Sequence, residues 1–190
     1  MSATPIPPTV YVAFSAEINA STTESLIATI ASCVTKGATE IYLLLSTPGG
    51  VVMSGMNLYN VLRAMPCKLT THNVGNVDSI GNAVFLAGEK RYACPHSTFM
   101  FHGVGFDMGQ GSRLEEKILR ERLDGILSDQ NRIGSIIEER TNLTKVKIKG
   151  LFRQAQTKDA AFAAGCGIIH EVRDVQIPAG SPIVSLVFQR

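Results

Sequence analysis

The sequence lacks any long hydrophobic run, and this excludes a membrane-spanning helix. No stretch approaches the roughly 18 consecutive apolar residues that such a helix needs. Residues 1–9 form a short stretch rich in Ser, Thr and Pro, without the basic start and apolar segment of a secretory signal. We therefore expect a cytoplasmic protein that does not associate with membranes.

Paired cysteines and clustered charge are also missing. The four cysteines form no C-x-x-C pair and no zinc-type spacing with the four histidines, so we expect reduced, mostly buried thiols and no metal site. The formal net charge is only +2, and basic residues are scattered except for Lys145, Lys147 and Lys149. Because these three alternate with apolar residues, we interpret them as a solvated face. A nucleic-acid surface is not predicted.

What is present is the pattern of one α/β domain. The 190 residues, 45% hydrophobic and 18% charged, suffice for one sizeable core, and no repeat or linker interrupts them. Apolar or β-branched runs alternate with segments of helical periodicity, which implies right-handed crossovers and a largely parallel sheet. We predict strands at 10–14, 40–45, 68–74, 91–94, 98–102, 168–172 and 182–188, and helices at 25–36, 53–65, 82–88, 113–140, 147–156 and 159–164.

The most informative local pattern is a serine between two glycines. Residues 75–81 read GNVDSIG, after a strand-like stretch and before a short apolar run of small residues. A nucleophilic serine needs a tight strand-to-helix turn, because its hydroxyl must project clear of the backbone and the next NH must donate to an oxyanion. Ser79 fits this requirement. Taken alone, the pattern is equally compatible with an ordinary tight turn.

A serine nucleophile also needs a base within hydrogen-bond reach. His102 ends an apolar strand and precedes a glycine-containing loop, a common location for catalytic side chains. On composition alone, a capping or packing role fits it equally well. We expect structural roles for His72, which lies inside a strand, for His96, which follows a proline, and for His170, which lies in a late strand.

A second turn offers backbone donors. Thr47-Pro48-Gly49-Gly50 follows a strand that we predict to be buried on both faces, so its amides would lie at the carboxyl edge of the sheet, where ligands bind in such folds. A plain turn is the alternative. The segment lacks the Lys-Ser/Thr of a phosphate loop and the spaced glycines of a dinucleotide site, so no nucleotide cofactor is predicted.

Together these segments resemble the proteolytic subunit of the Clp protease, a serine peptidase family with a crotonase-like fold. Residues 47–59 are similar to the family's S-P-G-G-x-x-x-x-G-x-x-I-Y segment, with Thr47 for the serine and Leu58 for the isoleucine. Residues 75–81 resemble its G-x-x-x-S-x-G turn, and residues 99–102 resemble its strand ending in the base histidine. The resemblance runs from about Val10 to Val172.

The resemblance implies a set of roles. Ser79 would be the nucleophile and His102 the base, and the backbone NH groups of Gly50 and Ile80 would form the oxyanion hole, with no cofactor. It further implies a single crotonase-like (ClpP-type) domain over residues 1–190 that acts on peptides or unfolded proteins. Its handle helix, 113–140, corresponds to the one through which the family's two seven-membered rings associate. We therefore expect a homo-oligomer with heptameric rings as the family's form, although the sequence alone does not fix the ring count.

The chain departs from the family at its third catalytic residue and at its ends. The family's orienting aspartate aligns with Ala155, and an alanine cannot orient an imidazole, so Gln154, Gln156 and Asp159 are the candidates to replace it. Only the short segment 1–9 stands where the family has its axial-pore and ATPase-docking residues, which argues against an AAA+ ATPase partner. The divergent tail 178–190 has no counterpart in the family, and we expect its apolar strand to pack on the sheet or pair with a neighbour.

Three functions compete on this sequence. The first is a serine endopeptidase that cleaves peptide bonds through an acyl-enzyme intermediate. The second is a catalytically weakened or inactive subunit that serves as an assembly or peptide-binding partner, and the missing aspartate motivates it. The third is a crotonase-type acyl-thioester enzyme, which ranks last because it has no use for a Ser-His pair at this spacing.

Overall fold

A computed structural model describes residues 8–106 and 115–188. The described chain forms one eight-stranded sheet with six helices. The strands are β1 (Thr9–Ser15), β2 (Glu40–Thr47), β3 (Lys68–Asp78), β4 (Lys90–Ala93), β5 (Thr98–Met100), β6 (Thr157–Asp159), β7 (Glu171–Val172) and β8 (Ile183–Leu186). The helices are α1 (Ala20–Thr35), α2 (Val52–Ala64), α3 (Gly81–Phe85), α4 (Glu116–Arg140), α5 (Lys145–Gln154) and α6 (Ala160–Gly165).

The sheet is largely parallel, as the alternation of strands and helices predicted. The main path runs β6-β5-β3-β2-β1-β8, and β4 pairs with both β3 and β7. Every strand pair is parallel except β5 with β6. The predicted mixed α/β class with a largely parallel sheet is therefore confirmed.

Strand β3 divides the sheet between two partners. Its first part, Thr70–Asn73, pairs with β4, and its last part, Asn76–Asp78, pairs with β5. Between them the register with β2 shifts, and a Cβ atom on Gly75 would lie 2.8 Å from the hydroxyl of Ser46. A glycine at this irregularity lets two strands approach closely. The end of β3 therefore lies beside β5, directly before Ser79.

Several predicted boundaries were wrong. Helix α1 begins at Ala20 rather than residue 25, because Asn19 forms a capping box with Thr22: each side chain accepts from the other's backbone NH, at 3.0 Å in both cases. Strand β6 was missed altogether. Of the predicted strand 168–172, only β7 forms in the structure. Ile168 and Ile169 are buried in the core and do not pair in the sheet, so their apolar character reflects burial.

The buried residues of helix α4 all lie in its second half. Its buried residues are Ile133, Ile136 and Ile137, whereas its first half exposes four large apolar side chains: Ile118, Leu119, Leu123 and Leu127. The structure shows the predicted helix from Glu116 onward, and residues 113–114 lie outside the described part. The first half of α4 thus carries an apolar stripe that the rest of the described chain leaves about half exposed.

Two arginines fix the end of α4 to the body. Arg91 is buried and donates to the carbonyl oxygens of Ile168 (2.7 Å), Gly88, Arg140 and Gly167 (3.1 Å each). Burial lowers the pKa of Arg91 to about 10, and the neighbouring Arg140 adds to this effect. Arg140 in turn donates to the carbonyls of Leu86 (3.1 Å) and Gly88 (3.0 Å). These hydrogen bonds therefore connect the end of α4 to the segment after α3, the helix that follows Ser79.

The chain's last strand extends the sheet. Strand β8 pairs in parallel with β1, from Tyr11 opposite Ile183 to Phe14 opposite Leu186, so the apolar part of the tail packs on its own sheet. The cysteines are all free thiols, but only Cys33 is buried and the other three are half-buried, so the expectation of mostly buried thiols was too strong. Across residues 8–106 and 115–188, no helix has the length and apolar character to cross a membrane.

Candidate active site

Ser79 occupies the turn between β3 and α3, and its backbone is strained. Its φ is +55°, and Ala155 is the other described non-glycine residue with a positive φ. Such a conformation costs a β-carbon-bearing residue about 1–3 kcal/mol and tends to cluster at functional sites. The NH of Ser79 donates to the carbonyl of Met100 at 2.9 Å, which joins the turn to the end of β5. The strand-turn-helix geometry is that of a nucleophile elbow.

Asn82 holds this turn in place, and the sequence analysis missed it. Its side chain is buried, and its amide nitrogen donates to the carbonyls of Ser79 (3.0 Å) and Met100 (2.8 Å). One amide thus bridges the elbow and β5. The available signal was a polar residue inside a run of small apolar ones, where a side-chain amide must find partners.

The Gly49-Gly50 turn packs directly against the elbow. Gly49 has φ +87°, and its NH donates to the Thr47 hydroxyl at 3.1 Å. Gly50 has φ +144°, and a Cβ there would overlap the carbonyl oxygen of Ile18. Hydrogen bonds from Ile18 N to Gly49 O (2.7 Å) and from Val51 N to Ile18 O (2.8 Å) fix the turn. Both positions require glycine, for conformation and for space.

The amides of Gly50 and Ile80 are unused donors. Neither NH group donates a hydrogen bond to any acceptor in the described chain. Gly50 follows a glycine that abuts Ser79, and Ile80 is the residue directly after it. Backbone NH groups are strong donors that need partners when water is excluded. Two such donors beside a serine hydroxyl could stabilise an oxyanion.

His102 lies at the same sheet edge as Ser79. Strands β3 and β5 are parallel, with Asp78 opposite Met100, so Ser79 and His102 both follow the carboxyl ends of neighbouring strands. The His102 ring is half-buried and makes no hydrogen bond with Ser79 or with any other described residue. The structure therefore places Ser79 and His102 at one edge of the sheet, without a hydrogen bond between them.

The end of α5 borders His102. The NH of Gly103 donates to the carbonyl of Phe152 at 3.1 Å, and β5 pairs with β6 so that Thr98 faces Asp159 and Met100 faces Thr157. Between these two contacts, the segment that contains His102 runs beside the segment that contains Ala155. Ala155 ends α5 in the left-handed conformation, with φ +47°.

The three candidate third members have other positions or partners. Asp159 caps α6 by accepting from Phe162 N at 2.7 Å, and it pairs with the far end of β5. Gln156 accepts from the Lys158 ammonium at 2.9 Å. Gln154 lines a small groove between α5 and α6. Within the described ranges, none of them forms a hydrogen bond with His102.

Two of the other histidines lie in structural networks. His72 is fully buried: the Tyr42 hydroxyl donates to its Nδ1 at 2.8 Å, and its Nε2 donates to the Arg173 carbonyl at 3.0 Å, with the tautomer assigned from this network. Burial lowers the pKa of His72. Burial also lowers the pKa of His170, whose Nδ1 accepts from Arg91 N at 3.0 Å. His96 is exposed in its turn.

A groove runs between α4 and α5. It has a volume of ≈ 720 Å³, and Gly103, the residue after His102, is part of its lining. Helix α4 supplies one wall and α5 the other. Its lining consists of Gly103, Leu127, Gln130, Asn131, Gly134, Ser135, Lys145, Ile148, Lys149, Phe152 and Arg153. No cluster of His, Cys, Asp and Glu among residues 8–106 and 115–188 is arranged to hold a metal ion.

Two comparisons relate this chain to known proteins. The profile of the Clp protease family matches residues 8–176. The chain is also 39% identical over 72 residues to the ATP-dependent Clp protease proteolytic subunit 1 of Corynebacterium jeikeium (strain K411), an alignment that covers 35% of this chain and 38% of the relative's length. The family match spans the elbow, the glycine turn and His102, and the parallel sheet accords with the crotonase-like fold. The chain belongs to the Clp protease family.

Proposed function

We propose that this protein is a Clp-type serine endopeptidase that hydrolyses peptide bonds through an acyl-enzyme intermediate. The observation that carries the proposal is the strained φ of +55° at Ser79, between a strand and a helix. Ordinary tight turns place glycine or asparagine in this conformation, so a serine held there by Asn82 is typical of a nucleophile.

In the proposed reaction, the Oγ of Ser79 attacks the carbonyl carbon of the peptide bond. His102 accepts the hydroxyl proton and passes it to the leaving amine, so that the C–N bond breaks and an ester to Ser79 remains. Water then attacks the ester, again with His102 as base, and releases the acid. The free NH groups of Gly50 and Ile80 donate to the carbonyl oxygen as it gains negative charge.

The proposed catalytic site is weakest at the third position of the triad, which would orient the imidazole of His102. Ala155 lies in the segment that runs beside His102 and has no group that could hold the imidazole in one tautomer. Loss of the orienting carboxylate costs a serine peptidase on the order of 10⁴ in rate, while the nucleophile and oxyanion donors keep part of the catalysis. We therefore propose that Ser79 and His102 act as a slow catalytic dyad. In this proposal Gln154, Gln156 and Asp159 keep their present contacts and do not orient His102.

Assembly is the second part of the proposal. The first half of α4 exposes Leu119, Leu123 and Leu127, spaced by four residues along one stripe, and such a stripe marks an interaction site. Family membership supports a homo-oligomer built through this helix. The heptameric ring and the cytoplasmic location stay predictions from the sequence.

Ala155 also favours a second candidate function. A family member without the orienting carboxylate could serve as a noncatalytic subunit that assembles with active subunits or holds peptides. Copurification with an active relative, together with unchanged turnover after Ser79→Ala, would favour this candidate. A homomeric particle with its own activity would count against it.

The experiment that separates the two is labelling with a fluorophosphonate probe. The purified protein is compared with Ser79→Ala and His102→Ala, and the adduct is mapped by mass spectrometry. Ser128→Ala and His96→Ala are matched controls, because both residues are exposed and distant in sequence from the elbow. We expect label on Ser79 that depends on His102 and is unaffected by the controls. No label in a folded, assembled protein would overturn the peptidase proposal.

A further inference from the structure

The groove beside His102 carries positive charge on one wall. We propose that it selects peptides with acidic side chains next to the cleaved bond, through Lys149 and Arg153. This inference rests on the proposed peptidase function, since it names the substrate class of that site.

The charge follows from the helical spacing of α5. Lys145, Lys149 and Arg153 are four residues apart, so they lie on one face, and all three line the groove. Lys147 lies on another face and lines the smaller groove of ≈ 280 Å³ near Cys166. The solvated face predicted from the sequence is therefore split: two of its three lysines border the groove and one does not.

Within the described part of the chain, two of these cations have no counter-charge. Lys145 pairs with Glu138 at 3.6 Å, whereas Lys149 and Arg153 form no ion pair with any residue of the described ranges. The opposite wall, on α4, contributes only neutral side chains to the lining. The nearby Asp129 is already paired with Arg132 at 3.1 Å. The groove thus contains positive charge that a bound carboxylate could neutralise.

The location of Arg153 and Lys149 relative to Gly103 indicates how they would contact a substrate. Gly103 lines the groove and follows His102 directly, and its NH donates to the carbonyl of Phe152 on α5. Arg153 is the next residue on that helix, and Lys149 lies one turn before it. A peptide that continues from the cleaved bond past Gly103 into the groove would therefore place its neighbouring side chains beside Arg153 and Lys149.

The expected size of the effect follows from the exposure of these side chains. A solvent-exposed ion pair changes an affinity by up to about fivefold, and reversal of one partner's charge adds repulsion of similar size. We expect a peptide with two glutamates to bind about tenfold more tightly than its glutamine counterpart at low salt. Most of that preference should disappear at about 1 M salt, where the screening length falls to about 3 Å.

The test measures binding rather than turnover. The assembled Ser79→Ala protein is titrated into three fluorescein-labelled peptides that differ only in a central Glu-Glu, Gln-Gln or Lys-Lys pair, and fluorescence anisotropy gives each Kd. Lys149→Glu and Arg153→Glu are added to this background, with Lys147→Glu as the matched control of equal charge change on the same helix. We expect the order Glu, Gln, Lys, and reversal of the preference by the first two variants only.

Two results would overturn the inference. One is equal Kd values for the three peptides, or absence of binding to a protein whose circular dichroism shows it folded. The other is an equal loss of preference in Lys147→Glu, which would assign the effect to net charge. Fluorophosphonate labelling of Ser79 needs no peptide groove, so it reports on the peptidase proposal separately. If Ser79 does not react but the acidic preference is found, the groove assignment stands for a peptide-binding subunit.

Discussion

Gly49 and Ser79 are in direct steric contact: a Cβ atom on Gly49 would lie 2.7 Å from the Cβ of Ser79 and 2.7 Å from the carbonyl oxygen of Asp78. The two residues belong to turns that follow the neighbouring parallel strands β2 and β3. Gly49 has φ +87° and Ser79 has φ +55°, so each turn has a left-handed residue at the contact. The glycine turn and the elbow therefore fix each other's position.

This contact predicts that Gly49→Ala displaces Ser79. The new methyl group cannot avoid the Asp78 backbone, and a displacement of about 1 Å can cost about 10² in rate. We expect fluorophosphonate labelling of Ser79 to slow by that factor. Gly37→Ala is the control, because Gly37 has φ +105° but no atom within 4 Å of an added Cβ. Equal effects in both variants would mean that strain alone, and not the contact with Ser79, slows the reaction.

Ala155 provides a gain-of-function prediction. We expect Ala155→Asp to raise kcat/KM on a peptide substrate, by at most about 10⁴, because a carboxylate beside His102 can orient the imidazole. The change suits the backbone, since Ala155 has φ +47° and aspartate tolerates this region better than alanine. Steady-state kinetics measure the effect.

Ala155→Asn is the matched control. Asparagine has nearly the same shape and the same tolerance of positive φ, but it lacks the charge that stabilises an imidazolium. We expect little gain from it. A similar gain in both variants would show that backbone relief, rather than the carboxylate, is responsible, and no gain in either would argue against the position assigned to Ala155.

Asn82 is predicted to hold the elbow through its two donors. In the unmodified protein the carbonyl oxygens of Ser79 and Met100 accept from the Asn82 amide at 3.0 and 2.8 Å. Asn82→Asp keeps the side-chain shape but places a buried carboxylate against these two oxygens. We expect the free energy of unfolding to fall by about 3 kcal/mol, and labelling of Ser79 to slow. Urea titration followed by circular dichroism measures the first effect. The exposed Asn57→Asp should change neither, and a stable, fully reactive Asn82→Asp would refute the bridging role.

His72 predicts how stability depends on pH. Burial lowers its pKa below the usual 6.5, despite the opposing hydrogen bond to the Arg173 carbonyl and the charge of Asp174. The unfolded chain therefore binds a proton at a higher pH than the folded protein does. The free energy of unfolding should fall as pH decreases below about 6.5, until the folded-state pKa is passed. His170 adds in the same direction, since its pKa is also lowered by burial.

The check is a set of urea titrations between about pH 7.5 and pH 5, over the range in which histidine titrates. His72→Gln should flatten the dependence, because glutamine keeps polar atoms near Tyr42 and Arg173 but does not titrate there. The exposed His96→Gln should leave it unchanged. An unaltered slope in His72→Gln would assign the pH dependence to other groups.

Local pattern predicted much of the fold, because the relevant physics is local. The apolar run at Glu40–Thr47 forms a strand that is mostly buried, and the small-residue run after Ser79 forms the short helix α3. The turn at Ser79 was also predicted, since a strand, a glycine pair and a helix signal lie within one segment. The wrong predictions lie where a side-chain contact or burial overrides the local secondary-structure propensity. Asn19 starts α1 earlier than its apolar periodicity indicated, and Ile168 owes its character to burial outside the sheet.

By itself the sequence determined the α/β class, the strand-to-helix turn at Ser79 and the two glycines after β2, since each depends on neighbours within a few residues. Only the tertiary structure decided which distant segments meet. It set the pairing of β5 with β6 that brings the segment of Ala155 beside that of His102, the bridge from Asn82 to Met100, and the division of the α5 lysines between two grooves. Such contacts depend on strand register and on the direction in which a helix faces, and residue spacing along the chain specifies neither.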